Sequence, residues 1–554
     1  MDVGYLVQCD VDRFYGIEYE EFPTQIAQVA MWLIDHQMNQ MVSNTFGNYY
    51  VRLPLRKNAT IAHSNALRTD WQSLIDRLPW EKGRPKYDYI LGNPPFIGSK
   101  FMSNEQRVDI EDLFKKVKGA GTLDYVSGWY IKAAKYMQEY NFMDQAEGIS
   151  IEQPLRRTLI QDNNAHLTKT AFVSTNSISQ GEQVGMLWNE LFNKYKIKIH
   201  FAHRTFSWSN EARGNAAVHV VIIGFGNFNV NDKALFEYEH VKAEPHEIKA
   251  KNINPYLVEA RDVILSSRQK PFDNVPEIGI GNKPIDGGHF LFTQDEKEEF
   301  LKKEPKASKY FYKWIGSHEF INGYNRWCLY VGDAQPGDLK SMPEVLKRID
   351  AVRHFRLAST SLPTIKLADT PTKFHVQNIP NSPYLVVPKV SSERRKYIPI
   401  GYIDNSVLSS DLLFIIKSSR LYQFGVLASA IHMTWVKYTC GRLKSDFRYS
   451  KDIVYNNFPW PENPNEKQEQ AVEAAAQNVL DARAQFPNAS LADLYDPNTM
   501  PPALVKAHQA LDKAVDLCYR PQPFVNETKR IEFLFELYDK YTSGMFVEGK
   551  RQKK

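Results

Sequence analysis

Through the first part of the chain, short apolar runs that end on polar residues alternate with stretches whose apolar positions recur every three to four residues. Phe14-Tyr15-Gly16-Ile17-Glu18 predicts a short strand ending in a carboxylate. After Pro23, the spacing of Ile26, Val29, Ala30, Leu33, Ile34, Met38 and Met41 predicts an amphipathic helix with the proline in its first turn. Residues 59–67 predict a short strand with a polar end, and 87–92 a buried strand running into Asn93. Residues 98–122, rich in Gly, Lys and Ser, predict a mobile loop. Val126, Trp129, Tyr130, Ala133, Ala134 and Met137 share one helical face over 123–137, with Asp124 placed as a cap. Thr170–Asn176 predicts a core strand, 180–193 a helix, 196–202 a strand, 203–208 an aromatic turn and 217–225 a fully apolar strand that closes the domain. Strands alternating with helices predict an α/β domain with a parallel or mixed sheet and helices on both faces.

Beyond that domain, taken as residues 1–235, residues 236–275 predict a connector and the pattern changes. From 276 to 460, short apolar stretches such as Tyr310–Trp314, Trp327–Val331, Tyr384–Val387 and Leu412–Ile416 alternate with Gly, Pro, Ser and Asn clusters. This block predicts a mixed α/β recognition domain, because it holds no catalytic constellation. After Phe458-Pro459-Trp460-Pro461 the period becomes helical at about 471–486, 503–518 and 526–542, which predicts a C-terminal helical domain over 461–554 ending in a charged tail. A chain of 554 residues is too long for a single core.

Composition sharpens this only locally. Apolar content of 43% and charged content of 24% fit a globular protein. The net charge of +5 is unevenly placed: Lys389–Lys451 holds eleven Lys or Arg against four Asp or Glu. A basic patch on an otherwise slightly acidic chain predicts a polyanion at one site. There, basic residues interleave with aromatics: Arg394, Arg395 and Lys396 precede Tyr397, and Arg442, Lys444 and Arg448 surround Phe447 and Tyr449. Such residues contact phosphates or read guanine edges. The cysteines, Cys9, Cys328, Cys440 and Cys518, have no metal-ligand spacing, which predicts no metal site and a cytoplasmic location. No apolar run approaches a membrane span.

The candidate chemistry sits at Asn93-Pro94-Pro95-Phe96, directly after the strand at 87–92. Two prolines fix φ and stiffen the loop. The Asn93 side-chain oxygen and the Pro94 carbonyl can accept both hydrogens of an exocyclic amino group. That helps the delocalised nitrogen pyramidalise and attack an electrophilic methyl group. Phe96 offers a face for a flipped base, and Phe206 or Trp208 a second wall. Glu18, at a strand end, is a candidate ligand for the ribose of a nucleoside cofactor, and Asn65 for its adenine edge. A cytosine C5 mechanism needs a Pro-Cys nucleophile, and the sequence has no such pair.

Gly16-Ile17-Glu18, Ser64-Asn65-Ala66-Leu67, Ile90 to Phe96, Leu123-Asp124-Tyr125-Val126 and Phe172 to Ile178 occur in one order. In that order they resemble gamma-class, amino-methylating DNA methyltransferases, and more narrowly the MmeI-like (type IIL) restriction-modification enzymes. The resemblance covers about residues 10–545. It implies a Rossmann-like methyltransferase domain that binds S-adenosyl-L-methionine, double-stranded DNA as partner, and methylation of adenine N6, with Asn93, Pro94, Pro95 and Phe96 catalytic. The family's glycine-rich cofactor turn and nuclease domain belong upstream of Glu18 and are not found there. The expectation is therefore an incomplete methyltransferase domain, an upstream chain supplying the turn, and no DNA cleavage. The alternative is a catalytically impaired DNA-binding specificity fragment.

Overall fold

A computed structural model describes residues 9–46, 58–75, 86–115, 117–143, 167–208, 218–272, 275–443 and 445–551. The chain divides into two compact units: Met1–Ile178 with Met186–Lys251, and Ser179–Gly185 with Asn252–Lys554.

In the first unit, β1 (Tyr15–Glu18) pairs in parallel with β2 (Thr60–His63), Glu18 lying opposite His63. Between them in sequence, α1 spans Glu21–Phe46. A separate six-stranded sheet contains β3 (Tyr89–Gly92), β4 (Lys169–Thr175), β5 (Lys198–Trp208), β6 (Val218–Gly226), β7 (Lys233–Tyr238) and β8 (Pro245–Ala250), in the order β3-β4-β6-β5-β7-β8. The β3–β4 and β5–β7 pairs are parallel and the others antiparallel. β4 alternates strictly, burying Thr170, Phe172 and Ser174. The helix over Ser127–Met143 (called α3 below) packs its apolar face here. Tyr130 stacks on Phe225 at 5.2 Å, meets Phe172 edge-on at 5.3 Å, and shares a 2.8 Å hydrogen bond with Ser174.

Three readings change. Residues 98–122 are not simply a loop, since α2 runs over Asn104–Leu113. Its start is a capping box, in which Ser103 Oγ accepts from the Gln106 N–H and the Gln106 side chain accepts from the Ser103 N–H. The aromatic stretch 203–208 is not a turn but the second half of β5, kinked by a register shift between His203 and Phe206. The strand ending near Phe225 does not close the sheet, because β7 and β8 extend it. The apolar stripe of α1 is also unusual: Ile26, Val29, Leu33, Ile34, Met38 and Met41 are all exposed. Its opposite face is the attached one, with Trp32 donating from Nε1 to Asn58 Oδ1 at 2.9 Å.

The second unit holds two four-stranded sheets and a three-stranded one. One core gathers Phe290, Phe292, Trp314, Tyr330 and Phe374, and another Tyr384, Val386, Ile403, Leu413 and Ile415. Arg356 is fully buried and donates to the carbonyls of Pro284, Ile285, Leu367, Thr370 and Lys373, so five carbonyls satisfy one charge. The C-terminal part is helical, with Glu466–Ala484 packed on Pro502–Tyr519 and a last helix over Glu527–Arg551. No described helix is long and apolar enough to cross a membrane, and no described His, Cys, Asp or Glu cluster could hold a metal.

Candidate functional site

The carboxyl ends of β1 and β3 and the turn that follows β2 line one cavity of about 830 Å³ in the first unit. Strand carboxyl ends are where α/β sheets bind ligands. The lining brings together Glu18, Asn65, Asn93, Pro94 and Pro95. Gly92 lets β3 reach this point, since a Cβ there would sit 3.1 Å from the Phe172 ring.

Asn93 is exposed, and neither its side chain nor the Pro94 carbonyl has a hydrogen-bond partner among the described residues. The Pro95 carbonyl is occupied, accepting from the Ile97 N–H at 3.0 Å. The loop is pinned further on. Ile97 O accepts from the Tyr125 N–H at 2.9 Å, and Asp124 Oδ1 accepts from the Ser99 N–H at 3.2 Å. Asp124 Oδ2 takes the hydroxyls of Ser177 and Thr175, beyond and at the end of β4. One carboxylate thus ties the segment after Phe96 to the neighbouring strand end.

Glu18 is held by its own chain: Oε1 accepts from the N–H groups of Tyr19 at 2.8 Å and Glu20 at 3.3 Å. Asn65 is held on both sides, with Oδ1 accepting from the Leu67 N–H at 2.9 Å and Nδ2 donating to Asp109 Oδ2 at 3.3 Å. The Asn65 side chain also meets the Tyr125 hydroxyl, and an amide oxygen has two acceptor positions, so one acceptor position remains. Asp109, on α2, also accepts from Tyr125 at 2.9 Å and pairs with Arg68 at 2.7 Å. Those bonds raise the Arg68 guanidinium, while burial and then Asp109 push the Tyr125 phenol upward. Lys132 donates to Leu67 O at 2.8 Å and Thr69 O, and burial lowers its ammonium to about 8. Asp109 and Lys132 have no signature in the sequence; Asp124 stands out there as a helix cap and within Leu123-Asp124-Tyr125-Val126, whereas its side chain holds Ser99, Ser177 and Thr175. The one hint was Ser103-x-x-Gln106, which marks the helix that presents Asp109.

Phe96 is half-buried and does not line the cavity. Phe206 does not line it either; one of its faces stacks on Tyr238 at 5.0 Å. Register places it, however, at the same end of the sheet. Phe206 lies opposite Val220, and Val220 opposite Thr175. Two strand spacings, roughly 10 Å, separate Phe206 from the β4 end.

In the second unit, the two basic runs meet on one small sheet, where Asp446–Arg448 lies between Val390–Ser391 and Gly441–Leu443. Arg394, Lys396 and Arg448 are exposed there. Arg395 is half-buried with its guanidinium lowered by burial. Arg442 is turned inward. It donates to Gln180 at 3.2 Å, Ser445 O at 3.1 Å and Lys437 O at 3.4 Å, and its guanidinium lies 3.9 Å from the Phe447 ring centroid. Lys444 lies outside the described residues.

This is a methyltransferase-type α/β fold with an Asn-Pro-Pro-Phe strand end, joined to a recognition domain and a helical domain. Family models for MmeI match all three parts: the DNA-methyltransferase domain at 4–153 and 155–237, the target recognition domain at 259–462, and the C-terminal domain at 464–546. The chain is 48% identical to the solved type IIL restriction-modification enzyme MmeI in complex with DNA, with a TM-score of 0.81 over 98% of this chain and 68% of that one. It is 40% identical over 541 residues to DNA methyltransferase A of Bacillus subtilis (strain 168), covering 97% of this chain. It spans 57% of that relative's length. The chain belongs to the MmeI-like, type IIL restriction-modification family.

Proposed function

We propose that this chain is the methyl-transferring and sequence-reading part of a site-specific DNA adenine-N6 methyltransferase. The observation that carries this is the pair of unpartnered acceptors, Asn93 Oδ1 and Pro94 O, beside a cavity at a strand end. Two neighbouring acceptors with no donor among the described residues, Asn93 exposed beside the cavity, suit the two N–H groups of an adenine amino group. Holding both hydrogens localises the nitrogen lone pair toward the methyl donor.

S-adenosyl-L-methionine fits the residues of the cavity. Glu18 keeps Oε2 for ribose hydroxyls, and Asn65 keeps an acceptor position for an adenine edge. When bound, it supplies an electrophilic methyl group. The remaining work belongs to the chain. The clamp at Asp124 fixes the loop, Phe96 stacks on the flipped base, and Phe206 stands at the same sheet end as a second wall. Lys396 and Arg448 offer charge to phosphates and base edges of double-stranded DNA, with Arg394 beside them in an ion pair with Asp496 at 3.9 Å.

The test is product analysis. This chain, alone and with the rest of MmeI supplied as a second chain, is incubated with methyl-labelled cofactor and duplex DNA, which is then digested to nucleosides. Label in N6-methyladenine supports the reading. Label on cytosine, or none in either arm, overturns it.

A further inference from the structure

We infer that Ser179–Gly185 is a coupling strap, and that its Gln180 and Gly181 are positioning residues through which the basic hairpin Gly441–Arg448 sets the loop after Asn93. The role given to that loop rests on the methyltransferase reading; the strap itself is defined by its contacts.

The strap lies within the stretch that matches the methyltransferase family model, yet it folds with the second unit. Ile178 before it and Met186 after it fold with the first. The Gly181 N–H donates to Thr439 O at 3.1 Å, at the end of the helix over Ala430–Thr439. Gly181 has φ +68°, and a Cβ there would lie 2.9 Å from the Gly441 Cα. A glycine is needed on both counts, since it takes this φ freely and lets the two backbones approach. Gln180 Oε1 accepts from Arg442 Nε at 3.2 Å. The same guanidinium donates to Lys437 O near the helix end and to Ser445 O at the hairpin turn. One arginine thus fixes helix, hairpin and strap together. At the far end of the strap, a Cβ on Gly185 would lie 2.8 Å from Leu265 O, so this end is held closely too.

From the strap the chain leads back to the clamp on the Asn93 loop. Ile178 O accepts from Trp188 Nε1 at 2.7 Å, which bridges the residue before the strap to the helix over Glu182–Asn189 that begins in it. Ile178 and Trp188 are fully buried, and packed interiors pass a displacement on rather than absorb it. Directly before Ile178, the Ser177 hydroxyl donates to Asp124 Oδ2, as does that of Thr175. Asp124 Oδ1 in turn accepts from the Ser99 N–H, and Ile97 O accepts from the Tyr125 N–H. Each step from Arg442 to Ser99 is therefore a covalent link or a hydrogen bond. A hairpin that settles on its sequence seats the strap and, through it, the clamp; a hairpin held off its sequence leaves both displaced. Methyl transfer then depends on what is read and not only on being bound. A path of contacts amounts to coupling only if its two ends respond together.

That response is measured by hydrogen exchange on the full chain, with and without phage genomic DNA, which is long enough to hold copies of any short site. In the native chain the hairpin amides and those of Ser99 and Tyr125 should all gain protection. In Gln180→Ala the hairpin should keep its gain while Ser99 and Tyr125 lose theirs. Gln180→Glu, which keeps an acceptor for Arg442, should restore them. DNA affinity and melting temperature should be unchanged in both variants. Single-turnover methyl transfer, with the portion of MmeI that this chain does not cover supplied, should fall about tenfold in Gln180→Ala, within the range of coupled sites. In a Ser177→Ala background Gln180→Ala should have almost no further effect, because both break one path. No gain at Ser99 and Tyr125 in the native chain, an equal gain in Gln180→Ala, additive rate losses, or a joint loss of affinity and melting temperature would overturn the inference. Failure of the exchange experiment leaves the methyl-transfer reading standing, whereas the expected exchange without methyl on adenine overturns that reading alone.

Discussion

Asn93 and Asn65 are the same residue type in opposite situations. Asn65 is fixed by Leu67 and Asp109, while Asn93 has no partner among the described residues. The first is built to present an edge, the second to receive one. The same contrast separates the arginines of the basic sheet. Arg448 is exposed, whereas Arg442 is bonded to Gln180, Ser445 and Lys437 and packed on Phe447. Arg448→Ala should weaken DNA binding and reduce its salt slope by about one, with an unchanged melting temperature. Arg442→Ala should instead lower stability by about 2 kcal/mol, from several lost hydrogen bonds and a stacked guanidinium. Fluorescence anisotropy at several salt concentrations, together with thermal melts, separates the two. Sequence alone could not tell these arginines apart, because both sit in one basic, aromatic run.

The element that matters most is the loop from Asn93 to Ser99, stiff at its start through two prolines and clamped at its end by Asp124. Asp124→Ala leaves Asn93 in place but releases the clamp. Single-turnover methyl transfer should fall about ten- to hundredfold, since small misplacement of reacting groups costs that much. Cofactor affinity should stay the same; an unchanged rate would remove Asp124 from the positioning of this loop. The presence of the strand before the loop was legible because an apolar run ending in Asn-Pro-Pro has few other readings; the expected burial was not met, since Tyr89 and Leu91 are 66% and 75% exposed. The periodic face of α3 was legible for the same reason, and Tyr130, Ala133, Ala134 and Met137 are all buried. Elements without a strong period were not. α2 is polar nearly throughout, and its capping box, Ser103-x-x-Gln106, is the signal that the loop reading of 98–122 passed over. The second half of β5 is rich in rings and read as a turn, because a bulge interrupts its alternation. The stripe of α1 was read correctly as amphipathic, but periodicity cannot say whether the apolar face meets the chain's own core or another segment.

At the scale of the whole molecule, each unit carries its own stabilising logic and its own response to solution conditions. In the second unit, His432 is fully buried, with Nδ1 2.8 Å from Leu427 O and Nε2 3.0 Å from the Tyr449 hydroxyl. Burial lowers its imidazole to about 4, and His508 is lowered in the same direction by burial. A histidine depressed in the fold contributes stability that is present above the unfolded value near 6.5 and is lost as pH falls toward the folded value. His432 alone should therefore cost about 1.4 kcal/mol per pH unit between roughly 6.5 and 4. Thermal melts of the second unit should drop steadily from pH 7 to pH 5, and less steeply in His432→Asn; parallel slopes would contradict a neutral buried imidazole. The first unit's behaviour turns on Asn93. Single-turnover methyl transfer at saturating cofactor and DNA, with the portion of MmeI that this chain does not cover supplied, compares the native chain with Asn93→Ala. The account predicts a rate lowered by about 10²- to 10³-fold with cofactor and DNA affinities unchanged. An Asn93→Ala protein that methylates adenine at the native rate would contradict it.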